Sequence, residues 1–174
     1  MTRPLDSTGL KRLHREWRRK TVGRLSLALD AVAGPFNVGS IVRTAAALRV
    51  ETVWLLGETP ELDGDKVAKT ALGTERYLKW ERLDSPTALG DAAHAAGFSL
   101  VGVELTPTAA PLHELDLSGD VCLVLGHEDR GVRPSVLEVC DHVGFIPQLG
   151  KVGSLNVANA AAIAMYEVRR QQYS

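Results

Sequence analysis

Near the C-terminus, residues 150–159 (GKVGSLNVAN) combine two glycines with hydroxyl and amide side chains. Ser154 and Asn156 lie where an apolar helix is predicted to begin, and both residue types cap free N–H groups there. This segment is therefore either an ordinary helix cap or part of a ligand site, and glycines that allow close backbone approach favour the site. Residues 34–40 and 125–131 are also polar and glycine-containing, and both follow strand-like runs. Three such strand-to-helix loops are what a ligand site on an α/β sheet requires.

The elements that would carry these loops alternate along the chain. Apolar runs predict strands at 25–29, 52–56, 99–103, 121–125 and 142–146, with a short strand at 76–80. Helical periodicity predicts helices at 10–20, 38–48, 86–96, 134–139 and 155–170, and a helical turn at 65–72. The alternation indicates an α/β fold with a mostly parallel sheet flanked by helices. We expect a basic helical extension over residues 1–24 and one domain over residues 25–174.

Several common chemistries do not fit the residue spacing. Gly34 and Gly39 do not form a GxGxxG fingerprint, and no GxxxxGK[ST] phosphate loop is present. Ser154 is not in a GxSxG elbow, which makes a Ser/His/Asp hydrolase a weak hypothesis. Cys122, Cys140, His127 and His142 lack the CxxC or HxxxH spacing of zinc ligands, so we predict no metal site.

Composition narrows the class of protein further. The chain has 174 residues and a net charge of -1, and no apolar run is long enough for a membrane span. Two cysteines in apolar surroundings indicate free thiols and a cytoplasmic protein. Eight Lys/Arg and two acidic residues give residues 1–24 a charge of +6, which leaves -7 on the rest of the chain. The basic segment is either a solvated helix or a contact for phosphates.

Three motifs resemble those of the SpoU/TrmH branch of the SPOUT superfamily, which comprises RNA ribose 2'-O-methyltransferases. NVGSIVRT at residues 37–44 resembles the first motif, and LVLGHEDRG at 123–131 resembles the second. IPQLG at 146–150 and SLNVA at 154–158 together resemble the third. The three motifs occur in the family's order, and the resemblance covers residues 25–170.

The resemblance implies S-adenosylmethionine as the methyl donor, a C-terminal deep trefoil knot, and a homodimer whose RNA site spans both subunits. The donor contacts it implies, motif by motif, are Leu105, Leu125, Gly126, Ile146, Gln148, Leu149, Ser154, Leu155 and Ala158. It also implies that Arg43 is the catalytic residue and that Asn37, Glu128, Ser154 and Asn156 orient Arg43 and the ribose. Since an arginine with a pKa above about 12 is a poor base, we expect Arg43 to act with an RNA phosphate. In that role it relays the proton or stabilises the developing alkoxide.

The predicted substrate is a guanosine in the D-loop of tRNA, because the flanks resemble those of the tRNA guanosine enzymes. We expect RNA phosphates to contact Arg12, Arg15, Arg18, Arg19 and Lys20, together with Arg43. The alternatives are another RNA site (the tRNA wobble nucleotide or rRNA) and a non-catalytic RNA-binding module. A nicotinamide enzyme is a more distant alternative.

Overall fold

Residues 3–174 are described by a computed structural model, and they form one seven-stranded sheet whose neighbouring strands are all parallel. The strands are β1 (Leu25–Asp30), β2 (Thr52–Leu56), β3 (Lys79–Arg82), β4 (Ser99–Val103), β5 (Ala110–Pro111), β6 (Val121–Gly126) and β7 (His142–Phe145). Their order across the sheet is β3-β2-β1-β6-β4-β7-β5. The predicted α/β class is confirmed. Residues 1 and 2 of the predicted extension lie outside the described residues.

Helices cover both faces of this sheet. They are α1 (Ser7–Lys20), α2 (Pro35–Ala47), α3 (Asp65–Ala71), α4 (Pro86–Ala95), α5 (Pro134–Leu137) and α6 (Val157–Gln172). On one face, buried side chains of α2 and α6 pack with Leu27 of β1 and Leu123 of β6. On the other face, α4 and α5 pack with Cys122 and Val124 of β6. Strands β1 and β6 are buried along their whole length, as expected of central parallel strands with continuous apolar runs.

The first helix of the domain begins earlier than predicted. We expected it at Val38, but α2 begins at Pro35, whose fixed φ suits the first helical position. Most of the predicted loop at residues 34–40 is therefore helical. The consequence for the site is that Asn37 and Arg43 are held on one rigid element.

Helices α2 and α6 are also joined at the ends distant from this first turn. Arg169 of α6 is buried and donates hydrogen bonds to the carbonyl oxygens of Leu48 and Arg49, each at 2.8 Å, and to that of Gly23 at 3.0 Å. Burial lowers the pKa of Arg169, because the charged form loses hydration. These contacts fix the C-terminal end of α2 to α6.

Other differences from the predicted elements are local. The short strand predicted at 76–80 begins three residues later, because Glu75–Tyr77 forms a 3-10 turn and β3 begins at Lys79. The helix predicted from residue 134 ends at Leu137, and the last helix begins at Val157 with Asn156 as its cap. Within residues 3–174, no helix combines the length and apolar character needed to cross a membrane.

The basic helix forms as predicted, but no face of it is buried against the domain. Leu10, Leu13 and Trp17 recur at the helical spacing typical of a packing face, yet α1 buries none of its residues. Its attachment to the domain includes a ring contact between Trp17 and Tyr173, with centroids 4.9 Å apart. A main-chain bridge between Thr21 and Tyr173 lies beside this contact. Helix α1 therefore extends from the domain with its basic residues in solvent.

Candidate active site

A cavity of about 630 Å³ lies where the loops after β4, β6 and β7 meet. Because these strands are parallel, their carboxyl ends share one edge of the sheet, which is where α/β proteins bind ligands. The cavity is lined by Val103, Glu104, Leu105, Leu125, Gly126, His127, Glu128, Asp129, Arg130, Gly131, Phe145, Ile146, Gln148, Gly150, Val152, Gly153, Ser154, Leu155, Val157 and Ala160. The second and third motifs thus form two sides of one site.

Hydrogen bonds connect all three motifs beside this cavity. Glu128 Oε1 accepts from Asn37 Nδ2 at 2.8 Å, and Asn156 Nδ2 donates to Asn37 Oδ1 at 3.0 Å. Asn156 Oδ1 in turn accepts from the backbone N–H of Ala158 at 2.9 Å and caps α6. A carboxylate only accepts hydrogen bonds, so it fixes the orientation of the Asn37 amide, and Asn37 then fixes that of Asn156.

The Glu128 carboxylate, from which this series of hydrogen bonds begins, is ionised and is also held by backbone donors. Glu128 accepts from the N–H of Gly34 at 2.9 Å and from that of Ala33 at 3.2 Å. Burial raises the pKa of Glu128, but the hydrogen bonds from Asn37, Gly34 and Ala33 outweigh burial and hold the pKa below its ordinary value. The loop after β6 is therefore locked to the beginning of α2.

Two glycines permit the sharp turn after β6. The backbone of His127 pairs with that of Gly131, with N···O distances of 3.0 and 2.9 Å. A Cβ on Gly126 would lie 2.2 Å from the backbone of Gly131, and Gly131 itself has a φ of +69°. Neither position accommodates a side chain without moving the backbone. These constraints explain the glycines of the second motif.

Glu104 was not predicted as a site residue, although it lines the cavity. Its Oε1 accepts from the N–H of Leu105 at 2.8 Å, and its Oε2 accepts from the N–H of Val132 at 2.9 Å. A Cβ on Gly131 would lie 2.2 Å from Oε2, so this glycine also makes room for the carboxylate. A single Glu at the end of a strand carries no sequence signal for this contact, because its partner lies 28 residues away.

An ion pair between the end of β1 and the segment after the β6 loop was also not predicted from the sequence. Asp30 ends β1 and is buried, and its carboxylate accepts from the Arg133 backbone N–H at 2.9 Å and from Arg133 Nε at 2.7 Å. The carboxylate of Asp30 raises the pKa of Arg133. A polar residue at the end of an otherwise apolar strand was the available signal. The pair ties the loop after β6 to the central strand.

The predicted donor-binding residues are partly brought together. Eight predicted site residues line the cavity, namely Leu105, Leu125, Gly126, Glu128, Ile146, Gln148, Ser154 and Leu155. Leu149 does not line it, and its side chain is fully exposed. Ala158 packs against the hydrophobic core instead, and its backbone N–H is bonded to Asn156. The cavity is thus built around the glycines and apolar residues of the second and third motifs.

Arg43 does not line the cavity of its own chain. It lies on the solvent-exposed face of α2, in line with the exposed Phe36 two turns earlier. The predicted RNA-binding residues Arg12, Arg15, Arg18, Arg19 and Lys20 are also exposed, and they lie on α1. Among residues 3–174, no group of three or more His, Cys, Asp and Glu side chains could hold a metal ion.

Known RNA methyltransferases resemble this chain in sequence. Residues 24–166 match the model of the SpoU rRNA Methylase family. The chain is 36% identical over 149 residues to the 23S rRNA (guanosine-2'-O-)-methyltransferase RlmB of Acinetobacter baylyi, covering 85% of this chain and 60% of that protein. It is 31% identical over 154 residues to the tRNA (guanosine(18)-2'-O)-methyltransferase of Escherichia coli, covering 85% and 64%. The chain thus spans less than two thirds of either relative.

A solved structure matches the fold. The AdoMet-bound rRNA methyltransferase of Sinorhizobium meliloti superimposes with a TM-score of 0.81 at 29% identity. The match covers 89% of this chain and 59% of that one.

Proposed function

We propose that this chain, which belongs to the SpoU rRNA Methylase family, transfers a methyl group from S-adenosylmethionine to a ribose 2'-hydroxyl of RNA. The observation that carries the proposal is the set of hydrogen bonds from Glu128 through Asn37 to Asn156, which joins the three motifs beside one cavity. The family match and the AdoMet-bound neighbour support the same reaction.

The cavity has groups that suit the donor. Leu105, Ile146 and Leu155 supply apolar surface, and Glu104 adds a carboxylate-bearing residue to the lining. When bound, the donor supplies a methyl group on a sulfonium sulfur.

The reaction breaks the bond from sulfur to methyl and forms a bond from the ribose oxygen to methyl, while the hydroxyl proton is released. Catalysis must therefore align the hydroxyl with the methyl group and stabilise the oxygen as it loses its proton. We assign alignment to Ser154, which lines the cavity, supported by Glu128, Asn37 and Asn156, which hold the surrounding loops and helices in place. Arg43, together with an RNA phosphate, stabilises the alkoxide or relays the proton, since a guanidinium alone is a poor base.

The site is proposed to need two subunits. Arg43 is exposed on α2 outside its own cavity, and α2 packs beside α6, whose Ile163 and Tyr166 are also exposed. Large exposed apolar side chains on neighbouring helices mark an interaction surface. In a homodimer formed through this surface, Arg43 of one subunit serves the cavity of the other. The segment from β7 to α6, which forms one wall of the cavity, is proposed to be threaded as a deep trefoil knot.

For the RNA, we propose a D-loop guanosine of tRNA, with a 23S rRNA guanosine as the second candidate. The exposed basic helix α1 supports a substrate that extends beyond the domain of residues 25–174. The rRNA candidate is favoured by the higher identity to an rRNA enzyme, at 36%. We place the protein in the cytoplasm, in keeping with free Cys122 and Cys140, whose thiol pKa values are raised by burial.

The test is transfer of labelled methyl from S-adenosylmethionine to unmodified tRNA and to 23S rRNA, followed by mapping of the modified nucleotide. Methylation of one D-loop guanosine is the expected result. Methylation confined to rRNA would keep the reaction and replace the substrate. Donor binding without transfer to any RNA would point to a non-catalytic RNA-binding module.

A further inference from the structure

Glu104 is a carboxylate whose position in the cavity wall is fixed from two sides. One oxygen is held by the N–H of Leu105, on its own loop, and the other by the N–H of Val132, which follows the opposite loop. With both oxygens held by backbone donors, the carboxylate cannot turn away into solvent when a ligand enters. A charge held in this way acts on a ligand without reorganising first.

The other charged groups of the wall are engaged differently. The Glu128 carboxylate is occupied by Asn37 and two backbone N–H groups. Arg130 is ion-paired with Glu58, outside the cavity. Asp129 is exposed to solvent, which screens its charge.

His127 also lies in the wall, and its Nδ1 accepts a hydrogen bond from the N–H of Asp129 at 3.0 Å. Glu104 and Glu128 are therefore both fixed by uncharged donors, but Glu128 also accepts from the side chain of Asn37, whereas Glu104 accepts from backbone N–H groups alone.

We propose that Glu104 favours the cationic methyl donor over its neutral demethylated product. This inference rests on the proposed function, in which the donor occupies the cavity. Methyl transfer converts a sulfonium, which carries a positive charge, into an uncharged thioether. A carboxylate in the wall attracts the first and not the second, so Glu104 promotes exchange of spent donor for fresh donor. Because the positive charge on sulfur declines toward the transition state, this attraction favours binding of the donor and does not accelerate the chemical step.

The competing explanation is that Glu104 only holds the two loops together. The two explanations differ in what the isosteric substitution Glu104→Gln does. A glutamine has one acceptor oxygen for two backbone donors, so loosened loops would weaken every ligand of the cavity to a similar degree. Loss of charge would weaken cationic ligands selectively.

Calorimetry with three ligands separates these outcomes. The ligands are S-adenosylmethionine, its thioether product, and the analogue sinefungin, which carries an amine in place of the sulfonium. We expect Glu104→Gln to weaken binding of both cationic ligands by about tenfold relative to the product, as expected of one removed charge at short range. Glu104→Asp, which keeps the charge, should retain the preference even if all three bind more weakly. Glu81→Gln, on the exposed edge strand β3, is the matched control. It should leave the affinity of each cationic ligand relative to that of the product unchanged.

An equal loss for all three ligands, or no loss, would overturn the inference. The unmodified protein gives a second reading, which does not depend on whether the variants fold. Added salt should weaken the two cationic ligands more than the product, and equal weakening would contradict the role of charge. If the unmodified protein binds none of the three ligands, the proposed function itself is wrong, and the inference is overturned with it. If the unmodified protein binds the ligands, and Glu104→Gln leaves the ratios of cationic-ligand affinity to product affinity unchanged, only the inference fails.

Discussion

Asn37 and Asn156 lie 119 positions apart in the chain, yet their side-chain amides are joined by a hydrogen bond of 3.0 Å. The bond connects the first turn of α2 to the cap of α6, and Glu128 holds its Asn37 end. Neither asparagine lines the cavity itself. Their contribution is therefore to fix two helices relative to the loops that do line it.

Replacing Asn37 by Ala should reduce methyl transfer by about 100-fold, because it removes the link through which Glu128 fixes the orientation of Asn156. Donor affinity should fall by less than about fivefold, since Asn37 does not line the cavity. Transfer assays and calorimetry measure the two quantities separately. Asn159→Ala, an exposed position on α6, is the control and should leave both unchanged. Equal losses in transfer and affinity would show that Asn37 shapes the donor site directly.

Replacing Arg43 by Ala should abolish turnover and leave donor binding intact, because Arg43 is exposed and lies outside the cavity of its own chain. Arg43→Lys should also be severely impaired, since an ammonium lacks the planar fork that contacts a phosphate. Loss of donor binding in both variants would make Arg43 structural.

Mixing two inactive variants tests whether Arg43 acts on the partner subunit. A heterodimer of Arg43→Ala and Glu128→Gln subunits has one intact site if Arg43 serves the other subunit's cavity. If Arg43 instead serves the cavity of its own subunit, each of the two sites carries one defect. Recovery of activity on mixing is expected, and no recovery in a verified heterodimer would place Arg43 in its own site.

The pKa of Glu128 predicts a specific acid sensitivity. Its pKa in the folded protein is lowered, so its ionised form contributes stability above the ordinary carboxyl pKa. That stability is lost as the pH falls from about 4.5 through the lower folded value. The free energy of unfolding, measured by urea titration, should therefore decline less steeply below about pH 4.5 in Glu128→Gln than in the unmodified protein. Parallel declines would mean that Glu128 does not couple folding to protonation.

Gly126 should tolerate no side chain, in contrast to Gly150. A Cβ on Gly126 would lie 2.2 Å from backbone atoms, whereas a Cβ on Gly150 meets nothing within 4 Å. We expect Gly126→Ala to lower the free energy of unfolding by about 3 kcal/mol, in the range of overpacking at a rigid site. Gly150→Ala should change it by less than about 0.5 kcal/mol. Similar values for the two variants would refute the steric account of the turn after β6.

Replacing Arg18 and Arg19 together by Ala should weaken RNA binding and flatten its salt dependence. Each lost phosphate contact should reduce the slope of log affinity against log salt by about 0.7–0.9. Filter binding at several salt concentrations measures the slope, and Lys79→Ala on the exposed edge strand serves as the control. An unchanged slope would mean that α1 does not contact RNA.

The sequence by itself determined the class of fold and the segments that build the site. Continuous apolar runs identified β1, β2, β4, β6 and β7, because each buried strand of a parallel sheet has an apolar sequence of its own. Residues 126, 128, 154 and 156 were selected from local motifs. Local patterns did not fix the start of α2, since a proline both interrupts strands and begins helices.

Only the tertiary structure decided which of these residues meet. The contact of Glu104 with Val132, the pairing of Asp30 with Arg133, and the exposure of Arg43 and Leu149 depend on how distant strands align. Sequence periodicity reports whether a residue faces a core, and it does not report which distant backbone group its side chain meets. Hydrogen bonds between loops are set by strand order and register, and these arise from the packing of the whole domain.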